Sequence, residues 1–343
     1  MKFFYFLSAC LFSIAIQAQN ILIVDNNAGI DASPAHVYPD FTSAITAAAN
    51  GDIIYVQPSS ISYGVVNINK EVSVYGTGHA PELDNGINAK FQAIEIAANN
   101  VKLSGIYIIN GVGTIGVRSN IIIENCLTNV IGLGSGVNGC IMQGNIITDR
   151  VILHTNPTYA TNVTFRNNFC QFQVGVNFEN FNSSTIFTNN IITNRTWHND
   201  NIFNNASGLV IQNSIFVFNS VQSWVGNYGG TPITFNNCIT YNYAGYVFGA
   251  LNGSNNHNNV DPQFVSIPTN TPLFNIANNY NVSPTLLGTD GLPIGIHNGG
   301  YDFDMRGYPT PLAYISEMNI NNSIITAGTN LNITLKANAN KTN

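Results

Sequence analysis

The sequence predicts an all-β fold, a single-stranded right-handed parallel β-helix, from three observations. A seven-residue apolar-alternating pattern returns seven times, its fifth residue is Asn or Gly each time, and successive returns are 19 to 24 residues apart. The pattern reads VKLSGIY (101–107), IIIENCL (121–127), CIMQGNI (140–146), VTFRNNF (163–169), TIFTNNI (185–191), LVIQNSI (209–215) and ITFNNCI (233–239). Apolar residues at every second position mark a strand with one face buried. The fifth residues are Gly105, Asn125, Gly144, Asn167, Asn189, Asn213 and Asn237. Gly and Asn tolerate positive φ better than other residues, so each return bends at that point. Coils of this length cannot bury an apolar side alone, but stacked coils can. Stacking also predicts that the fifth-position asparagines lie above one another and hydrogen-bond along the stack. A leucine-rich repeat has a similar period, but its regular Leu positions are missing.

The elements follow in chain order. Residues 1–18 carry Lys2, an apolar run from Phe3 to Ile16 and the small residue Ala18, which predicts a signal peptide and an extracellular or outer-surface location. A lipidation reading at Cys10 is weaker, because the apolar run continues past it. Residues 19–60 are expected to form an N-terminal cap and first strand. Within them, Phe41, Ile45 and Ala48 share one face of a short helix, Gly51 follows its end, and a strand spans 53–56. The β-helix proper is expected over 61–300, with EVSVYG (71–76) as an early coil. Residues 301–343 should hold a C-terminal hairpin cap around Ala327-Gly328 and a frayed tail from Asn338.

Composition narrows the function. Charged residues are only 8% of the chain, while 55 of 343 are Asn, so amides and hydroxyls must solvate the surface. The net charge of −6 without a Lys/Arg cluster argues against nucleic-acid binding. No apolar run is long enough for a membrane span. Cys126, Cys140, Cys170 and Cys238 show no zinc spacing and read as buried free thiols. Cys126 and Cys238 share a register but stand five coils apart, about 24 Å at ~4.8 Å per coil, beyond any disulfide. Capped ends predict a monomer.

The helix followed by ANGDIIYVQP, the KEVSVYG strand and the Asn/Gly-turn coils resemble the right-handed parallel β-helix proteins of the pectate-lyase-like superfamily, over residues 38–300. VDPQFV (260–265) and SPTLLGTDGLPIGIHNGG (283–300) are similar to closing segments of secreted bacterial members. The resemblance implies the architecture and an extracellular polysaccharide as partner. It carries over no catalytic residue. Lyases of the superfamily use an acidic calcium cluster with an Arg base, and its galacturonan hydrolases use several Asp and a Gly-His-Gly segment; neither occurs here. No cofactor is expected, and the one run that could suggest calcium, Asp302-x-Asp304-x-Arg306, lacks the rest of a calcium loop.

Charged and titratable residues of the central coils gather between 149 and 200. Counted from each coil's fifth position, Arg150, Gln173 and Arg195 share offset +6, His154 and His198 lie at +10 and +9, and Glu179 and Asp200 lie at +12 and +11. Such offsets predict one face. Arg150, Gln173, Trp197 and His154 would bind a glycan, through stacking and paired carboxylates. Glu179 and Asp200 would serve as acid and base, with Arg195 or His198 as proton acceptors in an elimination. Three functions stay open: glycan contact without catalysis, a structural or adhesive surface, and a lyase or hydrolase acting on uronate glycans.

Overall fold

The alternating pattern produces strands that stack in parallel, coil upon coil. The computed structural model describes residues 19–81, 87–155, 158–172, 178–193, 201–229, 232–267, 270–320 and 330–339. A first sheet of 12 strands stacks Ile21–Val24, Ile53–Val56, Ser73–Tyr75, Lys102–Ser104, Ser119–Glu124, Asn138–Gln143, Thr164–Arg166, Ile186–Thr188, Val210–Gln212, Thr234–Asn236 and Gly253–Ser254, with Val37–Tyr38 outside the first. A second sheet of 11 strands stacks Val65–Ile68, Lys90–Ile96, Tyr107–Thr114, Leu127–Leu133, Ile146–Leu153, Phe169–Gln171, Ile191–Thr193, Ile215–Phe218 and Ile239–Asn242, with Phe178–Glu179 and Phe203–Asn204 pairing beside it. Their inward residues share one core running the length of the solenoid.

Among the described residues the one α-helix is Phe41–Ala47, where it was expected. Asp40 caps it by accepting from the Ser43 amide at 2.8 Å. Phe41, Ala44 and Ile45 turn inward, and Phe41 meets Phe91 edge-on at 5.3 Å, closing the first coils. No helix among the described residues is long and apolar enough to cross a membrane. The four cysteines among the described residues, Cys126, Cys140, Cys170 and Cys238, are free and buried.

From Gly105 to Asn237 the fifth position is left-handed in all seven coils, with φ between 50° and 71°, whereas Gly76, in the same register of the earlier coil, is not. The left-handed corner resets the alternation. The sixth residue points inward, the seventh outward and the eighth inward again, so Asn168 and Cys170 are buried in the core side while Phe169 lies on the outside. The inter-coil amide ladder therefore sits one residue later than the sequence predicts. Asn145 donates from its amide to Asn168 Oδ1 at 3.0 Å, Asn168 to Asn190 Oδ1 at 2.9 Å, and Asn190 to Ser214 Oγ at 3.2 Å.

The fifth-position side chains bond a different partner. After Gly253–Ser254 the chain turns back, and residues 286–309 run along the outside of the solenoid toward its N-terminal end. Asn237 donates to Leu287 O (3.0 Å), Asn213 to Thr289 Oγ1 (3.1 Å), Asn189 to Gly295 O (3.2 Å), Asn167 to Ile296 O (2.8 Å) and Asn125 to Tyr308 O (3.0 Å). Gly replaces Asn where the strap brings a ring down onto the corner. A Cβ on Gly144 would stand 2.6 Å from the Tyr301 ring, and one on Gly105 2.5 Å from Pro309. Asn and Gly at this position are thus chosen by the strap as well as by φ.

The strap also explains the apolar seventh residue. Tyr107, Leu127, Ile146, Phe169, Ile191, Ile215 and Ile239 are in register on the outer face of the second sheet. Tyr280, Val282, Leu286, Ile294, Ile296 and Phe303 cover the stretch from Ile146 to Ile239 as a second core. The C-terminal hairpin forms from Ala313–Ile320 and Ile333–Ala339. Tyr314 at its root stacks on Tyr308 at 3.7 Å, beside Gln57, Pro58 and Thr77 of the early coils.

Candidate functional site

The strap covers only the first half of the second sheet's outer face; the second half is open. There the register aligns Asn67, Glu95, Gly113, Gly132, Ile152, Glu179 and Asn204 in one outward row. The two central glycines leave a floor of bare backbone. The ring of His154 leans over that floor, since a Cβ on Gly132 would stand 4.0 Å from its Nε2. Arg150 lies two residues before Ile152 on the same outward side, and Glu179 pairs with Ile152 across the strands. Three of the predicted residues, Arg150, His154 and Glu179, therefore share one face. Gln173, Arg195, Trp197, His198 and Asp200 lie outside the described residues.

One expectation is changed by geometry. Constant offsets slip by one residue, because Ile109–Asn110 in one strand and Thr148–Asp149 in another each stand opposite the single residue Asn129. These bulges align Arg150 at +6 with Val130 at +5, and bulges of this kind re-aim side chains at sheet surfaces. Glu179 has Ile152 and Asn204 as its in-register neighbours, and its expected pairing with Asp200 lies outside the described residues. Arg150 donates from Nε to its neighbour Asp149 at 3.2 Å, with its side chain 45% exposed.

The bulges line up a polar edge. Gln92, Asn110, Asn129 and Thr148–Asp149 occupy successive coils between the covered stripe and the glycine floor, and Thr148 bonds Asn129 Oδ1 at 3.2 Å. Beyond the other edge, His154, Thr155 and Asn180 line a shallow cleft of about 460 Å³ with Gly116, Gly134 and Ser135. The result is a trough with amide and hydroxyl groups on both sides and Glu95 and Glu179 toward its ends. Sequence reading missed Glu95, Gly113 and Gly132. The signal was present in GVG (111–113) and IGL (131–133), but only the bulged register shows that the two glycines are adjacent.

The other charged clusters are structural. Glu124 is buried on the outer face of the first sheet and accepts from Lys102 (2.8 Å), Ser104 (3.1 Å) and Gln143 (3.0 Å). Tyr301 lies next to it, and burial, reinforced by the Glu124 charge, pushes its phenol well above the usual range. Asp304 accepts from the Arg306 and Tyr308 amides, and Arg306 reaches Ala80 O at 3.0 Å, so the D-x-D-x-R run shapes a turn that pins the strap. Among the described residues, no three His, Cys, Asp or Glu side chains are grouped to hold a metal ion. Compared with known proteins, the chain matches no family model, no curated protein and no solved structure.

Proposed function

We propose that the protein binds a neutral extracellular polysaccharide along the open trough of the second sheet, without cleaving it. The observation that carries this reading is the side-chain-free floor at Gly113 and Gly132, bordered by amides and hydroxyls that repeat from coil to coil. A sugar chain needs a shallow elongated surface, with hydrogen-bonding groups at intervals and a floor it can approach closely. Arg150 stands among Asp149, Glu95 and Glu179, so the charges along the trough are mostly negative, which favours hydroxyl over carboxylate recognition. The reading takes the chain as a secreted member of the pectate-lyase-like superfamily; the leader-like residues 1–18 and the motifs within 38–300 support it.

Gly132→Val tests the site without disturbing the scaffold. Gly132 lies outward in a strand with no positive φ, its Cβ would meet nothing closer than 4.0 Å, and a β-branched residue suits a strand. Stability should change by less than about 1 kcal/mol. Glycan affinity, read by array and then calorimetry on neutral and uronate chains, should fall at least about tenfold. Unchanged affinity in the variant would remove the trough from the binding surface. No glycan bound by the wild type would favour a structural or adhesive role, and cleavage of any chain would restore the enzyme reading.

A further inference from the structure

Cross-strand register sorts the C-terminal ribbon completely by polarity. On one face lie the pairs Ala313/Ala339, Ile315/Ala337, Met318/Leu335 and Ile320/Ile333; on the other lie Tyr314/Asn338, Glu317/Lys336 and Asn319/Thr334. Ser316 is the bulged residue between the two registers. The apolar face is open to water, with Ile315 47%, Met318 50%, Ile320 57%, Ile333 46% and Leu335 55% exposed. A two-stranded ribbon is marginal in water by itself, and an exposed apolar stripe of this kind marks an interaction surface.

We propose that this face is covered by a second copy of the same chain, in a two-fold exchange of C-terminal arms. Self-complementarity favours that occupant. A two-fold axis through the Met318/Leu335 pair lays the Ile320/Ile333 tip of one arm on the Ile315/Ala337 root of the other, the short Ala337 facing the two isoleucines. The root is where the molecule offers a socket: a cleft of about 390 Å³ between the ribbon and the early coils, walled by Pro58, Pro81, Pro309, Leu312, Ile315 and Met318. The arriving tip pair fills it. No charge stands on the apolar face, because Glu317 and Lys336 oppose each other on the far side. Five half-exposed side chains per arm bury roughly 900 Å² in total, below the ~1,200 Å² of stable specific interfaces and in the range of weak, transient ones, so the dimer is reversible rather than obligate. A dimer departs from the monomer that capped solenoid ends predict.

Single-cysteine variants and sedimentation test the arrangement. Cys126, Cys140, Cys170 and Cys238 are buried, and burial pushes Cys126, Cys140 and Cys238 up to about 12, so in a Cys10→Ser background they do not compete for a thiol reagent. Met318→Cys lies beside the axis, where facing sheets stand about 10 Å apart, and should be joined into dimers by a short bis-maleimide. Lys336→Cys on the opposite face should yield at least about tenfold less. Wild type should shift from monomer to dimer with rising concentration in sedimentation velocity, and Leu335→Lys, a surface change on the exposed arm, should stay monomeric with an unchanged melting temperature. A monomer at every concentration, equal cross-linking of the two cysteines, or growth beyond the dimer would each overturn the proposal. A monomer whose ribbon amides are protected from exchange would overturn it too, by showing that the chain covers its own arm.

Discussion

Replacing Asn168 by Ala should lower stability by about 3 to 5 kcal/mol, whereas Asn167→Gly beside it should cost about 1 to 2 kcal/mol. Asn168 is fully buried, and all of its hydrogen-bonding capacity is in use. Its Oδ1 accepts from the amide of Asn145 at 3.0 Å and from the Asn145 side chain at 3.0 Å; its Nδ2 donates to Met142 O at 2.9 Å and to Asn190 Oδ1 at 3.2 Å. Truncation leaves several buried partners unpaired in two neighbouring coils and opens a cavity between them. Asn167 bonds the strap instead, at Ile296 O and Tyr301 O, and Gly keeps its left-handed conformation at φ 51° without strain. Urea unfolding at constant m-value measures both changes. Equal losses, or a larger loss at 167, would return the ladder to the fifth position.

This pair of residues also shows what the sequence could and could not reveal. The steric argument for Asn and Gly at the fifth position was sufficient from Gly105 to Asn237, where all seven corners are left-handed. Which way the side chain leaves the corner was not legible, because one left-handed residue resets the alternation for everything after it. The recurrence of Asn145, Asn168 and Asn190 at the sixth position was visible as text, but it carried meaning only once that residue was known to point inward. For the same reason the seventh residue looked like a continuation of the buried face. It is the outer stripe that the strap covers, and the strap bonds the neighbouring corners from 50 to 183 residues further along the chain, with no local pattern to announce the contact.

The site was legible to a similar depth. Strand periodicity was enough to put Arg150 and His154 on one side of the sheet. Glu179 reached the same face although residues of uncounted geometry intervene, because its strand pairs with Ile146–Leu153 directly. The glycine floor could not be read, since a fixed offset carries Gly113 and Gly132 out of alignment wherever a bulge adds a residue. Bulges leave no strong local signature: Ile109–Asn110 and Thr148–Asp149 look like ordinary strand residues. A trough of this type is therefore defined by register, and register is a tertiary property.

Acidification from pH 6.5 should destabilise the protein by roughly 1.4 kcal/mol per pH unit, starting where the strap meets the early coils. His79 lies beneath that strap, 5% exposed, with its Nε2 buried and unbonded. Burial first, then the charge of Arg306, depress it from 6.5 to about 3. The unfolded chain takes up a proton below 6.5 and the folded one does not, so the unfolded state binds more protons and stability rises with pH across that window. The contribution is complete above pH 6.5 and is lost progressively toward pH 3, amounting to several kcal/mol. His297 is also held low by burial, offset in part by Asp302, and adds a slope of the same sign. Between pH 6.5 and 5, before carboxylates titrate, His79→Gln should flatten most of the dependence whatever it does to absolute stability. Exchange protection of the Ala80 amide, which donates to Arg306 O at 3.1 Å, should fall first in the wild type, because the bonds between this segment and the strap at Arg306 are those that a protonated His79 disturbs. An unchanged slope in His79→Gln would mean that the ring escapes to solvent when the pH drops, and that the strap opens there without being driven by charge.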